Sequence, residues 1–224
     1  MQRLSVEQAL RQRKSTRAFL NKTVERATID RILGTASQSP SGANTQPWEV
    51  AVISGSSKAR LEQKLVEAFQ QQTTRKMDYH YYPEVWQEPF KSRQFACGMQ
   101  LYETLDIQRK DRQRRTDQWI ANYRSFDAPM MLMFFINRDL ETGSYFDMGM
   151  FLQSIMLMAC HEGLATCPQA ALGEFPDVVR SELGYDTQYN VVCGMAMGYE
   201  DTTDKVNSYR TPRDPVKNFT RYFT

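Results

Sequence analysis

The chain has 224 residues, of which 41% are hydrophobic, which is enough for one domain with a substantial core. Its 28 basic and 26 acidic side chains leave a formal net charge of +2, which excludes a global field for binding nucleic acid or an anionic membrane. No apolar run is as long as a membrane span and the N-terminus has no signal-peptide core, so the sequence predicts a cytoplasmic protein without a nucleic-acid or membrane partner.

The first predicted element is a short helix through Leu10, which the capping-box sequence Ser5-Val-Glu-Gln8 opens. A basic turn, residues 11–17, follows this helix. Three cations and two hydroxyl groups lie close together in the turn: Arg13, Lys14, Arg17, Ser15 and Thr16. Such a grouping binds phosphate oxygens by charge-assisted hydrogen bonds. A solvated basic patch is the alternative interpretation.

A segment rich in turn-forming residues, 39–48, lies between a predicted helix that ends near Ala36 and a predicted buried strand, residues 50–53. Small hydroxyl and amide side chains give this segment closely spaced donors and acceptors, and Gly42 lets a ligand approach the backbone. The segment would hold a planar ligand, although an ordinary polar connector fits the composition too. We interpret Trp48 at its end as a packing residue.

The middle of the chain differs from the rest in amino-acid composition. After a predicted amphipathic helix over residues 56–72, residues 77–105 are crowded with tyrosine, tryptophan and phenylalanine and are interrupted by two prolines. This composition favours an irregular or partly helical cover, whose rings would stack on a flat substrate or fill a satellite core. Residues 106–124 form a strongly basic predicted helix, and its interleaved aspartates favour a solvated face over nucleic-acid binding.

The second half begins with a continuous apolar run, residues 130–136, which predicts a central strand buried on both faces. A predicted helix over residues 147–162 is apolar nearly all round and should form the core, and its small residues would let another helix approach, within the chain or across a dimer. Gly163 ends this helix. Residues 164–172 then predict a loop with accessible amides, for which a plain helix-to-helix link is the alternative.

The C-terminal part adds a predicted helix over residues 176–183, a last strand over residues 191–197 and a second basic cluster over residues 207–213. The four cysteines are scattered, have apolar or small neighbours and are predicted to be reduced core thiols: Cys97, Cys160, Cys167 and Cys193. No pair of them has C-x-x-C spacing and the chain has only two histidines, so the sequence predicts no metal site.

Four of these segments, in this order, resemble motifs of the FMN-dependent nitroreductase family, and the resemblance spans nearly the whole chain. Arg13-Lys-Ser-Thr-Arg17 resembles the N-terminal phosphate motif of that family, and residues 39–48 resemble its flavin-contacting loop. Thr166-Cys-Pro-Gln-Ala-Ala171 resembles the segment along the reactive edge of the isoalloxazine ring. Asn207-x-x-Arg210-x-x-Arg213 resembles the C-terminal phosphate clamp.

The resemblance implies an α+β fold in which helices wrap a central, mostly antiparallel sheet, and an intimate homodimer with two FMN sites at its interface. The loop over residues 39–44 would reach the site of the partner subunit. The cofactor-binding residues that the resemblance implies are Arg13, Lys14, Ser15, Arg17, Ser39, Pro40, Ser41, Asn44, Pro168, Gln169, Ala170, Ala171, Arg210 and Arg213.

The family chemistry implied by the resemblance needs no catalytic side chain. Hydride would pass from NADH or NADPH to flavin N5, and a small aromatic acceptor, a nitroaromatic compound or a quinone, would then take the electrons in a ping-pong cycle. The backbone amide of Ala170 would lie near N5. Arg17 would lie near the pyrimidine side of the ring, where a cation stabilises the negative charge of the reduced flavin.

The chain resembles the nitrobenzoate-type branch of the family because its aromatic-rich middle is long. We predict a single domain, residues 1–224, with an insertion at about residues 77–125, which we call the lid. Asn122 is a candidate flavin contact within it. The alternatives are a flavin enzyme of the same family that acts on activated alkenes or halogenated aromatics, and a flavin-binding protein with little turnover. A domain whose basic patches are incidental is a further alternative.

Overall fold

The computed structural model describes residues 4–224. Seven α-helices pack around a four-stranded sheet in this part of the chain. The helices are α1 Val6–Gln12, α2 Arg26–Ala36, α3 Gly55–Gln70, α4 Phe90–Thr104, α5 Arg112–Tyr123, α6 Thr142–His161 and α7 Pro176–Leu183. The strands are β1 Glu49–Ser54, β2 Met130–Asn137, β3 Ala165–Gln169 and β4 Tyr189–Gly198.

The sheet has the order β1-β2-β4-β3, and every pair of neighbouring strands is antiparallel. β2 is buried along all but its last residue, which confirms the predicted central strand over residues 130–136. One parallel bridge, between Ser15 and Thr166, extends the sheet beyond β3 at a single point. The α+β fold with a mostly antiparallel sheet is therefore confirmed.

The prediction of a buried strand over residues 50–53 is only partly right. The strand forms as β1, but β1 is an edge strand that pairs with β2 alone, and the side chain of Val52 is 44% exposed. Ile53 is its one buried residue and packs toward α3. An apolar run predicts a strand, but its position in the sheet is decided by pairing with distant segments.

Two apolar cores cover the two faces of the sheet. One contains α2 and α6, and the other contains α3 and α7 with Tyr123 at the end of α5. α6 begins at Thr142, earlier than the predicted start of the helix, and buries one face, with Phe151 and Ile155 against the sheet. Its other face leaves Phe146 73% exposed. The prediction that α6 forms the core therefore holds for one face only.

The predicted helix boundaries hold where local capping sets them. Ser5 Oγ accepts a hydrogen bond from the Gln8 backbone N–H at 3.2 Å, and Gln8 Oε1 accepts one from the Ser5 N–H at 2.7 Å, so the capping box is confirmed. The helix continues past Leu10 to Gln12. Gly163 has a φ of 75° and ends α6 as predicted.

The segment predicted as a loop over residues 164–172 is instead β3 followed by a 3₁₀ helix, Ala170–Gly173. Thr166 pairs with Met197 and Gln169 pairs with Gly194, so β3 is built by contacts with a strand near the C-terminus. Pro168 is tolerated because β3 is an edge strand. The prediction was wrong because small residues and a proline have low strand propensity, which the pairing with β4 overrides.

The lid combines an irregular stretch with α4 and α5. Two contacts attach its beginning to β4: the Tyr79 hydroxyl donates to Val192 O at 2.8 Å, and the Val191 N–H donates to Asp78 Oδ2 at 2.8 Å. α4 buries none of its side chains. Among the residues that the structure describes, no helix has both the length and the apolarity needed to cross a bilayer.

The cysteines do not share one environment. Cys167 and Cys193 are buried, and burial raises the pKa of Cys167 to about 11 and that of Cys193 to about 12. Cys160 is half-buried and Cys97 is exposed on α4, so the prediction of core thiols is right for two of the four and wrong for Cys97. All four are free thiols.

Candidate functional site

The basic turn after α1 runs along the outer edge of β3. Ser15 bridges to Thr166, and the Thr16 N–H donates to Thr166 O at 3.0 Å. These bonds fix the turn beside the strand that leads to the 3₁₀ helix Ala170–Gly173. Two of the motifs predicted from sequence are therefore brought into direct contact.

Arginines from the two ends of the chain converge on one cavity of about 660 Å³. Arg210 donates to the carbonyl oxygens of Gln12 at 2.8 Å and Arg13 at 2.5 Å, which ties the C-terminal cluster to the basic turn. Burial lowers the pKa of Arg13, and the charges of Arg213 and Arg210 lower it further. Within residues 4–224, none of these three guanidinium groups has a carboxylate within salt-bridge distance. The cavity is therefore suited to a polyvalent anion.

Lys14 and Arg17, the other two cations of the turn, differ in their surroundings. Lys14 forms an ion pair with Glu200 at 2.7 Å and donates to Asn207 O, so the protein itself neutralises its charge. Arg17 donates to Ser15 O at 3.3 Å and to the Tyr209 hydroxyl at 3.2 Å. Both acceptors are neutral, so the charge of Arg17 remains available to a ligand.

Asn207 organises this region, and the sequence indicated it only as the first residue of the C-terminal motif. Its Oδ1 accepts from the Arg17 N–H at 2.8 Å, and its Nδ2 donates to Ala18 O at 2.9 Å and to Asp201 O at 2.8 Å. Tyr209, which lines the cavity, was missed as well. No local pattern singles out either residue, because most of their partners, Lys14, Arg17 and Ala18, lie near the opposite end of the chain.

The end of β3, the strand beside the basic turn, supplies backbone donors. Ala170 and Ala171 open the 3₁₀ helix Ala170–Gly173, and no side chain caps its N-terminus. The amides of the first turn of a helix have no acceptor within that helix. Pro168 and Gln169, which precede them, lie on the edge strand. This stretch therefore presents donors to a ligand lying along the edge of the sheet.

The side chain of Gln169 is 4% exposed and points into the protein. Its Nε2 donates to Asn122 O at 2.9 Å and also lies 3.4 Å from Asn122 Oδ1. Its Oε1 has no hydrogen-bond partner among the described residues. Asn122, the candidate flavin contact of the lid, thus anchors the backbone that carries Ala170. A direct contact between Asn122 and flavin stays a prediction.

The turn-rich loop packs on α6 of its own chain. Ser39 Oγ lies 2.7 Å from Ser154 Oγ, the Gly42 N–H donates to Asp147 Oδ2 at 3.1 Å, and Ser41 Oγ accepts from the Gln46 N–H at 2.9 Å. Pro40 and Asn44 belong to the same loop, and Asn44 has a φ of 58°. No residue of the loop lines the cavity that contains Arg13.

Trp48, at the end of this loop, packs as the sequence predicts. Its ring stacks on Phe151 of α6, with centroids 4.6 Å apart and an interplanar angle of 10°. The loop is thereby fixed to α6 at both of its ends. Within one chain the loop is therefore held on α6, apart from the cation cluster.

A smaller cavity of about 320 Å³ borders residues 168–170. Tyr79, Tyr81 and Tyr145 line it together with Met148 of α6. Burial raises the pKa of Tyr79 and that of Tyr81, so both phenols stay protonated at neutral pH. His80 also lines the cavity, but no Asp, Glu, Lys or Arg among the described residues does. Its aromatic wall and its size suit a small flat molecule.

Known proteins resemble this chain along nearly its whole length. A family model described as "Nitroreductase family" matches residues 10–199. A 4-nitrobenzoate reductase from Nocardioides sp. (strain LMS-CY) is 34% identical over 92% of this chain and 85% of its own. The nitroreductase NfnB from Mycolicibacterium smegmatis is 33% identical over 97% of this chain and 92% of its own.

Solved structures of nitroreductases also resemble this chain. The crystal structure of an FMN- and NADPH-dependent nitroreductase NfnB from Sphigopyxis sp. strain HMH superposes with a TM-score of 0.96 at 35% identity, covering 99% of this chain and 100% of that one. The FMN-dependent NfnB from Mycobacterium smegmatis, solved in complex with NADPH, has a TM-score of 0.93 at 32% identity and covers 97% of each chain.

Proposed function

Because the chain belongs to the nitroreductase family, we propose that the arginine-lined cavity and the adjoining edge of β3 form the FMN site of an oxidoreductase. The enzyme uses NADH or NADPH to reduce nitroaromatic compounds or quinones. Relatives named as nitroreductases match over nearly the whole chain, which supports this activity.

The observation that carries the assignment of the site is the convergence of Arg13, Arg210 and Arg213 on one cavity. Burial lowers the pKa of Arg13, and without an anion the charges of Arg213 and Arg210 lower it further. A flavin phosphate is a dianion that three guanidinium groups bind by charge-assisted hydrogen bonds, without a metal. Ser15 at the same cavity adds a hydroxyl group. The residues present therefore fit the phosphate end of FMN.

The edge of β3 fits the ring of the cofactor. Ala170 and Ala171 offer uncapped amide donors, and the backbone of Ala170 is our candidate donor to the reactive edge of the ring. Bound FMN supplies two-electron redox chemistry between the nicotinamide and the acceptor. Arg17, which the protein leaves without a carboxylate partner in residues 4–224, would stabilise negative charge on the reduced cofactor.

In this proposal the protein binds, orients and shields the cofactor, and no side chain acts as a nucleophile. The aromatic cavity next to residues 168–170 would receive the flat acceptor, with Tyr79 and Tyr81 of the lid as part of its wall. Stacking on neutral rings favours flat aromatic molecules and does not require a charge on them. The division of the chain into one domain with a lid over residues 77–125 is part of the same proposal.

We further propose a homodimer in which each chain completes the site of the other. In one chain the loop with Ser39, Pro40, Ser41 and Asn44 is held on α6, away from the cation cluster that its motif would accompany. The same helix exposes Phe146 and Met150, large apolar side chains that a partner would cover. Two-fold pairing through this face would place the loop of one chain at the cavity of its partner.

An anaerobic visible spectrum of the purified protein tests the proposed function. We expect a flavin spectrum that bleaches with NADH or NADPH and returns when a nitroaromatic compound or a quinone is added. A protein that stays colourless after incubation with FMN would refute the flavin site. Bound FMN that neither nicotinamide reduces would instead indicate a flavin-binding protein without this activity.

A further inference from the structure

The segment between the lid and β2 contains an uncommon backbone conformation. Ser125, Phe126 and Asp127 are consecutive, and their φ angles are 51°, 53° and 56°. The left-handed region is unfavourable for residues other than glycine, so a run of three such residues persists only when its surroundings over-determine it. This turn is therefore held in place by other groups.

A buried polar network holds the turn from the side of α3. Lys58 and Glu62 form an ion pair of 2.6 Å between side chains that are almost entirely buried. Ser125 is fully buried and its hydroxyl donates to Glu62 Oε1 at 2.9 Å. A buried ion pair is costly to desolvate and adds little net stability, but its geometry is specific. Among the described residues, the one hydrogen bond that this pair makes outside α3 is to the left-handed turn.

The same left-handed turn supports two groups of the proposed FMN site. Phe126 is buried against Cys167 of β3, and the guanidinium carbon of Arg17 lies 5.9 Å from the centroid of its ring. Asn122, at the end of the helix that precedes the turn, accepts the hydrogen bond from Gln169. One short segment thus contacts both the cation at the edge of the site and β3, the strand that leads to Ala170.

We propose that Lys58, Glu62 and Ser125 are positioning residues that act through Phe126 to fix the guanidinium group of Arg17 and so raise the reduction potential of bound flavin. This inference rests on the proposed function. The face of an aromatic ring attracts a cation, and it also limits the orientations that a planar guanidinium group can take. A cation held close to the flavin stabilises the reduced form more than a mobile one does.

The test substitutes Phe126 and leaves the arginines of the phosphate cluster intact. Phe126→Leu keeps an apolar side chain but removes the aromatic face, and Phe126→Tyr retains that face. We expect Phe126→Leu to keep its FMN and to lower the ratio of reduced to oxidised flavin about tenfold at a fixed potential. For a two-electron couple, this tenfold change corresponds to a midpoint potential that is lower by ~30 mV. Phe126→Tyr should have the wild-type potential.

A matched control separates this effect from a general loss of core packing. Phe134→Leu makes the same change in β2, where the ring is fully buried and packs in the core on the α6 side. We expect it to lower stability without moving the midpoint potential. If Phe134→Leu lowers the potential as much as Phe126→Leu does, the effect is one of stability, and the inference is wrong.

A second variant tests the network itself. Ser125→Ala removes only the hydroxyl that binds Glu62, so it remains informative if Phe126→Leu does not fold. We expect faster hydrogen–deuterium exchange of residues 122–128 in the apoprotein, and a potential shifted in the same direction in the holoprotein. An unchanged potential in both variants with full FMN content overturns the inference. A wild-type protein that binds no FMN refutes the proposed function instead.

Discussion

Replacing Arg13 by methionine should weaken FMN binding and leave the folded apoprotein as stable as before or more so. In the structure, burial and the neighbouring charges of Arg213 and Arg210 all oppose the charge on Arg13. Methionine retains the apolar stem of the side chain and removes that charge. An ordinary buried arginine with a partner would behave in the opposite way, because its loss would leave an unpaired carboxylate.

The expected magnitude follows from the hydrogen bonds that a guanidinium group makes with a phosphate. Each hydrogen bond to a charged group contributes about 1.5–3 kcal/mol, and every 1.4 kcal/mol changes the dissociation constant about tenfold. Arg13→Met should therefore raise the Kd for FMN roughly 10- to 150-fold. At an FMN concentration of about 100 times the wild-type Kd, the cofactor stabilises the wild type by about 2.7 kcal/mol. A variant with a 100-fold higher Kd gains only about 0.4 kcal/mol.

Thermal denaturation with and without FMN, together with a fluorescence titration of the apoprotein, measures both quantities. Arg26→Met is the matched control, because the Arg26 side chain on α2 is 94% exposed and lies 3.7 Å from Asp30. We expect the control to bind FMN as the wild type does. The reasoning is refuted if Arg13→Met retains wild-type affinity, or if its apoprotein is clearly less stable than that of Arg26→Met.

Four further predictions concern other parts of the molecule. Lys14→Met should lower the stability of the apoprotein more than it weakens FMN binding, because it leaves Glu200 without its partner; denaturation and FMN titration distinguish the two effects. Burial raises the pKa of Glu174, so its contribution to the free energy of unfolding is present below the usual value of 4.5 and is lost as pH rises through the folded value. In urea denaturation Glu174→Gln should therefore gain stability over the wild type as the pH rises above 4.5; a difference that stays constant with pH contradicts this. Gly194→Ala would place a Cβ 2.4 Å from a leucine carbon of the 3₁₀ helix Ala170–Gly173. Denaturation should therefore show that the free energy of unfolding falls by about 1–3 kcal/mol. An unchanged free energy would show that this helix adjusts freely. Phe146→Glu should give monomers in light scattering and lose FMN, whereas a dimer with full FMN content would exclude pairing through this face of α6.

Elements whose signals are local were predicted well from sequence. The capping box at Ser5 and the end of α6 at Gly163 depend on residues a few positions apart, and both are confirmed. The central strand over residues 130–136 was found because a strand buried on both faces must be apolar throughout. The four motifs, in their order along the chain, indicate the family from the sequence alone.

Elements that depend on distant pairing were predicted less well. The sequence predicts a loop at β3 because the residues of this segment, which include Pro168, have low strand propensity, and only its pairing with β4 makes it a strand. The exposed position of β1 and the one-sided burial of α6 have the same origin. In each case the sequence shows whether a segment is apolar or has low strand propensity, but the number of neighbouring elements is a property of the assembled fold.

The sequence by itself determined which charged groups are available: Arg13, Lys14 and Arg17 are adjacent in the chain, and Arg210 and Arg213 repeat the pattern near its end. Only the tertiary structure decided what each charge does. It neutralises Lys14 with Glu200, leaves Arg13 facing other cations, and sets Arg17 over Phe126. The reason is physical: the energy of a charge depends on the distance to other charges and on burial, and the fold sets both by bringing together residues far apart in sequence.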